Sequence, residues 1–151
     1  MENQLAYNFR LNSCSNGVVT LESIGNKYVV LYFYPKDDTS GCTLEAQEFS
    51  KLKNEFNELN VAIFGISKEN IDSHKKFIKK YDLTIDLLYD DSSIAEEFGV
   101  WVEKSMYGKK YMGIARTTFL IGENRKILKV WNNVSVPGHA KEVLDYIKSM
   151  N

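Results

Sequence analysis

A β-α-β unit is predicted by residues 28–67, which read YVVLYFYPKDDTSGCTLEAQEFSKLKNEFNELNVAIFGIS. Residues 28–34 form a short, continuous apolar run rich in β-branched and aromatic side chains, which is typical of a buried central strand. Val61–Ser67 has the same character and predicts a second buried strand. Residues 43–59 between them predict an amphipathic helix, because apolar side chains recur every three or four positions. These positions are Phe49, Leu52, Phe56 and Leu59. We therefore expect two parallel strands joined by a right-handed helical crossover.

Apolar runs and amphipathic stretches alternate through the rest of the chain. Further strands are predicted at 6–11, 17–21, 85–89, Thr117–Ile121 and 126–131, and further helices at Ile71–Tyr81, 92–98 and 140–150. The first two strands form an N-terminal hairpin with a turn at Asn16-Gly17, and residues 122–124 turn a second hairpin. Ser92 or Ser93 is the expected cap of the short helix, and Gly99 its end. With no repeat or linker, residues 1–151 are predicted to be a single α/β domain, whose mixed sheet is parallel in the middle and antiparallel where the hairpin joins.

Composition limits the possible functions. The chain has 151 residues, of which 44% are hydrophobic and 26% are charged, with a net charge of −1. These values suit a globular protein and give no basic face for nucleic acid or an anionic membrane. No segment is apolar for long enough to span a bilayer, and residues 1–10 lack the pattern of a signal peptide. We therefore expect a cytoplasmic protein, with neither nucleic acid nor a membrane as a partner.

Cys42 lies where chemistry is expected in such a fold. It follows the first buried strand and opens the helix, and ligand sites of open α/β sheets lie outside the carboxyl ends of the strands. Unpaired backbone N–H groups and the helix dipole favour an anion there, and hence the thiolate. Gly41 allows a sharp turn into the helix. From position alone, a small buried hydrophobic side chain is an equally good interpretation of Cys42.

The residues around Cys42 resemble a known active site. Pro35, Thr39 and Cys42 spell P-x-x-x-T-x-x-C, the motif of the peroxiredoxins, and Glu45 follows one helical turn later. The longer string at 32–49, YFYPKDDTSGCTLEAQEF, resembles the bacterioferritin comigratory protein, or peroxiredoxin Q, subfamily. Segments farther along the chain share this resemblance: residues 98–101 (FGVW), 108–114 (GKKYMGI) and 116–121 (RTTFLI).

The resemblance implies a thioredoxin-like fold of the peroxiredoxin type and a hydroperoxide substrate. Cys42 would attack the peroxide and become a sulfenic acid. Thr39, Arg116 and the backbone near Cys42 would donate hydrogen bonds to the peroxide, Glu45 would hold Arg116, and Pro35 would shield the thiolate. Without the resemblance, Arg116 is better interpreted as a surface arginine at a strand end. No cofactor or metal is expected, because the only two histidines lack the spacing of metal ligands.

Recycling of Cys42 is the point where the chain departs from the subfamily. Many members carry a second cysteine five residues after the first, and here that residue is Gln47. Three routes remain open. Cys42 works alone with thioredoxin, glutaredoxin or a small thiol as the reductant; Cys14 resolves the sulfenic acid; or two Cys42 residues pair between subunits. We favour the one-cysteine route, and the chain is expected to be a monomer or a homodimer.

Other functions were considered for the same residues. A dithiol reductase needs C-x-x-C, and the motif here ends in Glu45. A redox sensor or partner-binding module with a stoichiometrically oxidised Cys42 remains the alternative function. Tyr107, Lys109 and Lys110 are predicted to lie in a solvated loop, with Tyr107 and Trp101 either walling the substrate entrance or packing in the core.

Overall fold

The computed structural model describes residues 1–151 and contains a seven-stranded mixed sheet and a separate two-stranded sheet. The strands are β1 (Arg10–Ser13), β2 (Gly17–Thr20), β3 (Tyr28–Phe33), β4 (Val61–Ser67), β5 (Asp86–Tyr89), β6 (Trp101–Met106), β7 (Lys109–Ile114), β8 (Thr117–Ile121) and β9 (Ile127–Trp131). The helices are α1 (Ser40–Lys51), α2 (Lys53–Glu58), α3 (Ile71–Tyr81), α4 (Ser93–Glu97) and α5 (His139–Ser149). None of the helices is long and apolar enough to cross a membrane.

The large sheet has the mixed topology that the sequence predicts. Its strand order is β2-β1-β5-β4-β3-β8-β9. Strands β5, β4 and β3 are parallel, whereas the N-terminal hairpin joins β5 in antiparallel fashion and β8 and β9 extend the other side in the same way. Because β3 and β4 lie in the middle, the carboxyl end of β3 opens onto the centre of the sheet edge.

Strand β3 separates two hydrophobic cores because its side chains alternate between the two faces. Val29, Leu31 and Phe33 belong to one core, and Tyr28, Val30 and Tyr32 belong to the other. Helices α1, α3 and α5 cover the second core, whereas α4 covers the first. All six residues are buried, so both faces of the strand stabilise the fold, with about 1.5–3 kcal/mol for each large apolar side chain removed from water.

The predicted helix at 43–59 is two helices. The backbone leaves helical geometry at Leu52 (φ −95°, ψ 4°), where α1 ends and α2 begins. The apolar face nevertheless continues across the break, with Phe49 and Phe56 both fully buried and their ring centroids 6.0 Å apart. The periodicity therefore predicted the buried face correctly, while the change of axis at Leu52 left no signal in it.

The N-terminal hairpin is confirmed with different bounds. Its first strand begins at Arg10 rather than residue 6, because Ala6 donates its N–H to the carbonyl of Arg125 instead of a strand partner. Gly17 follows the turn with φ +67°, a conformation that glycine adopts without steric cost. At the other hairpin, residues 123–125 form a short 3₁₀ turn before β9.

The prediction of a solvated loop around Lys109 and Lys110 was wrong. Residues 101–114 form the β6–β7 hairpin, which turns at Tyr107-Gly108 with φ values of +51° and +78°. Two consecutive positive φ angles are typical of a tight two-residue hairpin turn. Most side chains of this hairpin are exposed, so its strands lack the apolar alternation on which a sequence prediction depends.

The cap of α4 also differs from the prediction. Ser92 adopts φ +93° and its side chain accepts no capping hydrogen bond. Instead, the buried carboxylate of Asp90 accepts from the N–H groups of Ile94 (3.0 Å) and Ala95 (2.8 Å). Gly99, with φ +73°, ends the helix as predicted.

Candidate active site

Cys42 is the third residue of α1, the helix that follows the loop after β3. The loop runs over residues 34–39, and Thr39 precedes the helix with extended backbone angles (φ −94°, ψ 158°). The thiol is only 1% exposed. Because the first amides of a helix have no intrahelical acceptor, the sulfur lies in a region of positive potential.

Arg116 brings a cation to this sulfur. It lies between β7 and β8, and its guanidinium donates from Nη2 to Cys42 Sγ at 3.3 Å and from Nη1 to Glu45 Oε1 at 2.7 Å. Gly41 makes room for this approach, since a Cβ at that position would lie 3.3 Å from Arg116 Nη2. Two acceptors that are 71 and 74 residues away in sequence thus share one rigid fork of donors.

Glu45 is an unusual carboxyl group because it is 1% exposed and only half satisfied. Its Oε1 accepts from Arg116, whereas its Oε2 has no hydrogen-bond partner. Burial raises the pKa of Glu45 to about 7, although the charge and hydrogen bond of Arg116 act in the opposite direction. Burial also opposes the charge of Arg116, but Glu45 and Cys42 outweigh it and raise the pKa of Arg116. The arginine therefore remains charged while the carboxyl titrates near neutrality.

Thr39 and Pro35 lie in the loop that precedes this group, and no side-chain hydrogen bond joins either of them to it. The Thr39 hydroxyl donates to the carbonyl oxygen of Lys36 at 2.8 Å and makes no hydrogen bond to Cys42. Pro35 is half-buried at the end of β3. We call Cys42, Glu45 and Arg116 the thiol cluster: the structure brings these three predicted residues together and places Thr39 and Pro35 in the adjoining loop.

Cys14 is not brought to the site. It follows β1, and β5 and β4 separate that strand from β3. Three strand spacings amount to about 14 Å, whereas a disulfide needs Cα atoms within about 7 Å. The Cys14 thiol donates instead to Asp86 Oδ1 at 3.4 Å. Burial, with a contribution from the Asp86 charge, raises the pKa of Cys14, which disfavours its thiolate.

A second buried polar group, which the sequence analysis missed, lies beneath the active-site loop. We call Tyr34, Asp37, Ser73 and His74 the loop cluster. The Asp37 carboxylate accepts from Tyr34 Oη at 2.6 Å and from Ser73 Oγ at 2.7 Å. His74 Nδ1 lies 2.8 Å from the same carboxylate, and its Nε2 lies 3.0 Å from the Leu88 carbonyl oxygen. Both ring nitrogens of this buried histidine therefore lie within hydrogen-bonding distance of an oxygen atom.

The loop cluster left one signal in the sequence. His74 interrupts the apolar face predicted for α3, which normally means a buried polar group with a partner. His74 is fully buried and therefore is more than a helix-face residue. The partner, Asp37, lies 37 residues away in the active-site motif, and no local pattern connects the two.

The second histidine, His139, is the first residue of α5, one residue before the predicted start of that helix. His139 Nδ1 lies 3.1 Å from Glu142 Oε1 and its Nε2 lies 2.8 Å from Thr118 Oγ1. Burial lowers the pKa of His139, so the neutral ring donates to Glu142 and accepts from the Thr118 hydroxyl. No three His, Cys, Asp or Glu side chains converge as ligands of a metal ion would.

The two aromatic residues considered for the substrate entrance lie apart. Tyr107 is 98% exposed at the tip of the β6–β7 hairpin, so it neither packs in the core nor walls a pocket. Trp101 is half-buried and packs against the core that contains Phe33. Its outer face lies under the ammonium of Lys68, 5.2 Å from the ring centroid.

Comparisons with known proteins agree with this geometry. The model of the AhpC/TSA family matches residues 3–130. A putative peroxiredoxin Bcp of Coxiella burnetii is 44% identical over 137 residues, which cover 90% of this chain and 91% of that protein. The peroxiredoxin Bcp of Bacillus subtilis is 42% identical over 149 residues, which cover 98% of this chain and 95% of that protein.

A solved structure shares the fold as well. The bacterioferritin comigratory protein of Xanthomonas campestris, studied as trapped intermediate and ligand complexes for its alkyl peroxide reduction activity, superposes with a TM-score of 0.88. It is 36% identical, and the match covers 94% of this chain and 91% of that chain. The thioredoxin-like fold expected from the sequence is thereby confirmed. The chain therefore belongs to the AhpC/TSA family and, within it, to the peroxiredoxins of the bacterioferritin comigratory protein, or peroxiredoxin Q, type.

Proposed function

We propose that this peroxiredoxin reduces hydrogen peroxide and organic hydroperoxides with Cys42 as its nucleophile. The observation that carries the proposal is the contact of Arg116 with Cys42 Sγ at 3.3 Å, in a buried site at a helix N-terminus. A structural cysteine in an apolar core has no use for such a donor. A cysteine that must hold negative charge and deliver it to an oxygen atom does.

The reaction transfers one oxygen atom to sulfur. The Cys42 thiolate attacks the terminal oxygen of the hydroperoxide, an S–O bond forms, and the O–O bond breaks. The peroxide is reduced to water or an alcohol after its departing oxygen takes a proton, and the sulfur is oxidised to a sulfenic acid. Negative charge thus moves from the sulfur to the departing oxygen during the step.

Stabilisation of that moving charge must supply most of the acceleration. A thiol with a pKa of about 8.5 is roughly 3% ionised at pH 7, so complete ionisation gains only about 30-fold. Lower basicity also weakens the sulfur as a nucleophile. The larger effect must come from fixed donors aimed at the peroxide oxygens, and the Arg116 fork is the strongest donor beside Cys42.

The remaining residues have supporting roles in this proposal. Glu45 orients Arg116 through the 2.7 Å contact with Nη1. The Thr39 hydroxyl, which donates to Lys36 O, keeps lone pairs free to accept the peroxide hydroxyl proton in a hydrogen bond. Pro35 excludes water from one side of the sulfur. For Thr39, this acceptor role differs from the donor role predicted from the sequence, because its single hydroxyl hydrogen is already donated to Lys36 O.

For recycling we propose the one-cysteine route. The residue at the usual resolving position is the exposed Gln47, and Cys14 lies three strands from Cys42 with its thiol bound to Asp86. A thioredoxin, a glutaredoxin or a small thiol would then reduce the sulfenic acid directly, and a monomer suffices. Pairing with Cys14, or between two Cys42 residues of a homodimer, requires rearrangement because Cys42 is buried.

A redox sensor is the second candidate function, and a specific observation favours it. With Cys42 buried and no resolving cysteine nearby, its sulfenic acid would be hard for a large reductant to reach. Such a protein would consume one equivalent of peroxide and stop. Turnover with excess reductant, rather than a single oxidation, separates the peroxidase from the sensor.

Steady-state peroxide consumption tests the peroxidase. Wild type, Cys14→Ser and Cys42→Ser are given excess hydrogen peroxide with dithiothreitol, and in parallel with thioredoxin and its reductase. We expect many turnovers for wild type and Cys14→Ser and none for Cys42→Ser, because a serine hydroxyl is too weakly acidic to replace the thiolate. Turnover by Cys42→Ser would end the proposal, and a single equivalent consumed by wild type would favour the sensor.

Intact mass tests the recycling route. Wild type and Cys14→Ser are treated with one equivalent of hydrogen peroxide and analysed without reductant. The one-cysteine route predicts a gain of one oxygen in both proteins and no disulfide. Loss of two hydrogens or covalent dimerisation in wild type, but not in Cys14→Ser, would make Cys14 the resolving residue instead.

A further inference from the structure

Lys104 is a half-buried lysine in β6 for which the proposed mechanism has no role so far. It lies opposite Tyr111 in the β6–β7 hairpin. No carboxylate lies within ion-pair distance of its ammonium, and no hydrogen-bond partner is found for it. A partly desolvated cation without a partner is costly, and natural proteins keep such groups mainly where a function needs the charge.

The Lys104 side chain leans toward the base of the β6–β7 hairpin, from which the chain continues to Arg116. The stem of Lys104 crosses Gly113, whose missing Cβ would lie 3.3 Å from Lys104 Cδ and 3.5 Å from Cε. Gly113 is two residues beyond Tyr111, so the lysine leans along β7 toward its carboxyl end. That end leads directly through Ile114 to Arg116. Any larger residue at Gly113 would displace the stem.

The electrostatic surroundings of Lys104 agree with this direction. Burial lowers the pKa of Lys104, the positive charge of Arg116 lowers it further, and the negative charge of Cys42 acts in the opposite direction. Lys104 therefore lies within electrostatic range of both partners of the 3.3 Å contact at the active site.

The charges of the thiol cluster do not balance without Lys104. Above a pH of about 7, where Glu45 is ionised, its carboxylate and the Cys42 thiolate share the single cation Arg116. Glu45 Oε2 remains unpaired, and the buried hydroxyl of Tyr32, which is also close enough to feel both anions, has no hydrogen-bond partner. One more positive charge makes the group neutral, and such neutrality favours burial of the thiolate.

We propose that Lys104 is a positioning residue of the peroxidase site, whose ammonium supplies the second positive charge that keeps Cys42 ionised beside Arg116. The inference rests on the proposed role of Cys42 as the reactive thiol. Lys104 acts through the field at the sulfur and need not touch the peroxide. The β6–β7 hairpin, which otherwise buries little apolar surface, thereby gains a function: it delivers Lys104 on one strand and leads into Arg116 on the other.

The test is the pH dependence of Cys42 alkylation by iodoacetamide, which reports the thiolate and requires no peroxide. All proteins carry Cys14→Ser, so that a single thiol reacts, and Cys42→Ser serves as the blank. Glu45, Arg116 and Tyr32 face the sulfur in every variant, so their titration is common to the series. Lys104→Met removes the charge, Lys104→Arg restores it, and Lys110→Met removes an exposed charge from the same hairpin.

We expect Lys104→Met to move the alkylation midpoint upward by about 0.5–1 pH unit, as loss of a nearby opposite charge does. Lys104→Arg should restore the wild-type midpoint, and Lys110→Met should leave it unchanged. An unchanged midpoint in a folded Lys104→Met protein overturns the inference, and so does an equal shift in Lys110→Met. The peroxidase proposal fails separately, if wild type does not turn over peroxide whatever these midpoints are.

Discussion

The loop cluster and the thiol cluster are both buried polar groups associated with the loop at residues 34–39, and they differ in how completely they are hydrogen-bonded. In the loop cluster, the Asp37 carboxylate accepts from three side chains and both nitrogens of His74 face an acceptor. In the thiol cluster, Glu45 Oε2 has no partner, and the contacts that exist converge on the Cys42 sulfur. A complete network fixes a shape, whereas an incomplete one retains capacity for a further ligand.

The comparison explains why one active-site loop needs both groups. Asp37 belongs to the loop that carries Thr39, and two of its three partners, Ser73 and His74, come from α3, so this helix anchors the loop. The helix that follows this loop carries Cys42, whose sulfur accepts from Arg116 Nη2 at 3.3 Å. Rigid support allows the reactive group to remain unsatisfied without collapse of the site. Each prediction below changes one of the two groups.

The largest effect is expected on stability when the loop cluster is broken. Asp37→Ala leaves the buried polar groups of Tyr34, Ser73 and His74 without their shared acceptor, and each buried polar group left unsatisfied typically costs about 1–3 kcal/mol. Urea unfolding measures the change. Asp38→Ala is the matched control, because that neighbour pairs with Lys80 on the surface and its loss should matter far less. Equal destabilisation by both variants would contradict the assigned role of the loop cluster.

Removal of the cation from the thiol cluster should mainly affect the rate. Arg116→Met is expected to raise the barrier for Cys42 oxidation by about 2–4 kcal/mol, as loss of an oxyanion donor does. Stopped-flow fluorescence of the stoichiometric reaction with hydrogen peroxide measures this rate. Arg125→Met, which alters a half-buried arginine that pairs with Glu22 and not with the thiol cluster, is the control. A loss below about tenfold would reduce Arg116 to a structural residue.

A smaller effect concerns the pH dependence of stability. The pKa of Glu45 is raised from 4.5 to about 7 in the folded protein, so the folded state binds the proton more tightly than the unfolded state. The resulting stabilisation is complete below about pH 4.5 and is lost as the pH rises through about 7, by up to about 3 kcal/mol. Glu45→Gln should flatten this slope relative to wild type in urea unfolding at several pH values. Glu97→Gln, at an exposed position, should not.

The smallest effect is expected at Cys14. Because Cys14 is three strands from Cys42 and its thiol is bound to Asp86, Cys14→Ser should change the rate of peroxide consumption with dithiothreitol by less than about twofold. A larger loss would mean that the protein rearranges during the cycle and that the one-cysteine route is wrong.

The sequence predicted the elements that carry strong periodicity and missed those held by contacts between distant residues. Val61–Ser67, Ile71–Tyr81 and Thr117–Ile121 have the predicted bounds, because each presents a continuous or regularly spaced apolar face. The β6–β7 hairpin was missed because its exposed strands lack such a face. The cap of α4 was misassigned because Asp90 reaches its amides from two residues before the expected cap.

The same division applies to the active site. Cys42 was found from its place between a strand and a helix, but Arg116 was found only through resemblance to a family, because no spacing connects residues 74 positions apart. Asp37 and His74 were missed as a pair for the same reason. Lys104 could be predicted neither from its position in the sequence nor from the family motif. Only the packing of its side chain over Gly113 in the hairpin shows its direction.

The most direct test of this account is the second-order rate constant for oxidation of Cys42 by hydrogen peroxide in Asp37→Asn, compared with Arg116→Met. The account predicts that Asp37→Asn lowers the unfolding midpoint yet keeps the rate within about threefold of wild type, while Arg116→Met slows the reaction by about 30-fold or more. A folded Asp37→Asn protein that is as slow as Arg116→Met would contradict the separation of a supporting cluster from a reactive one.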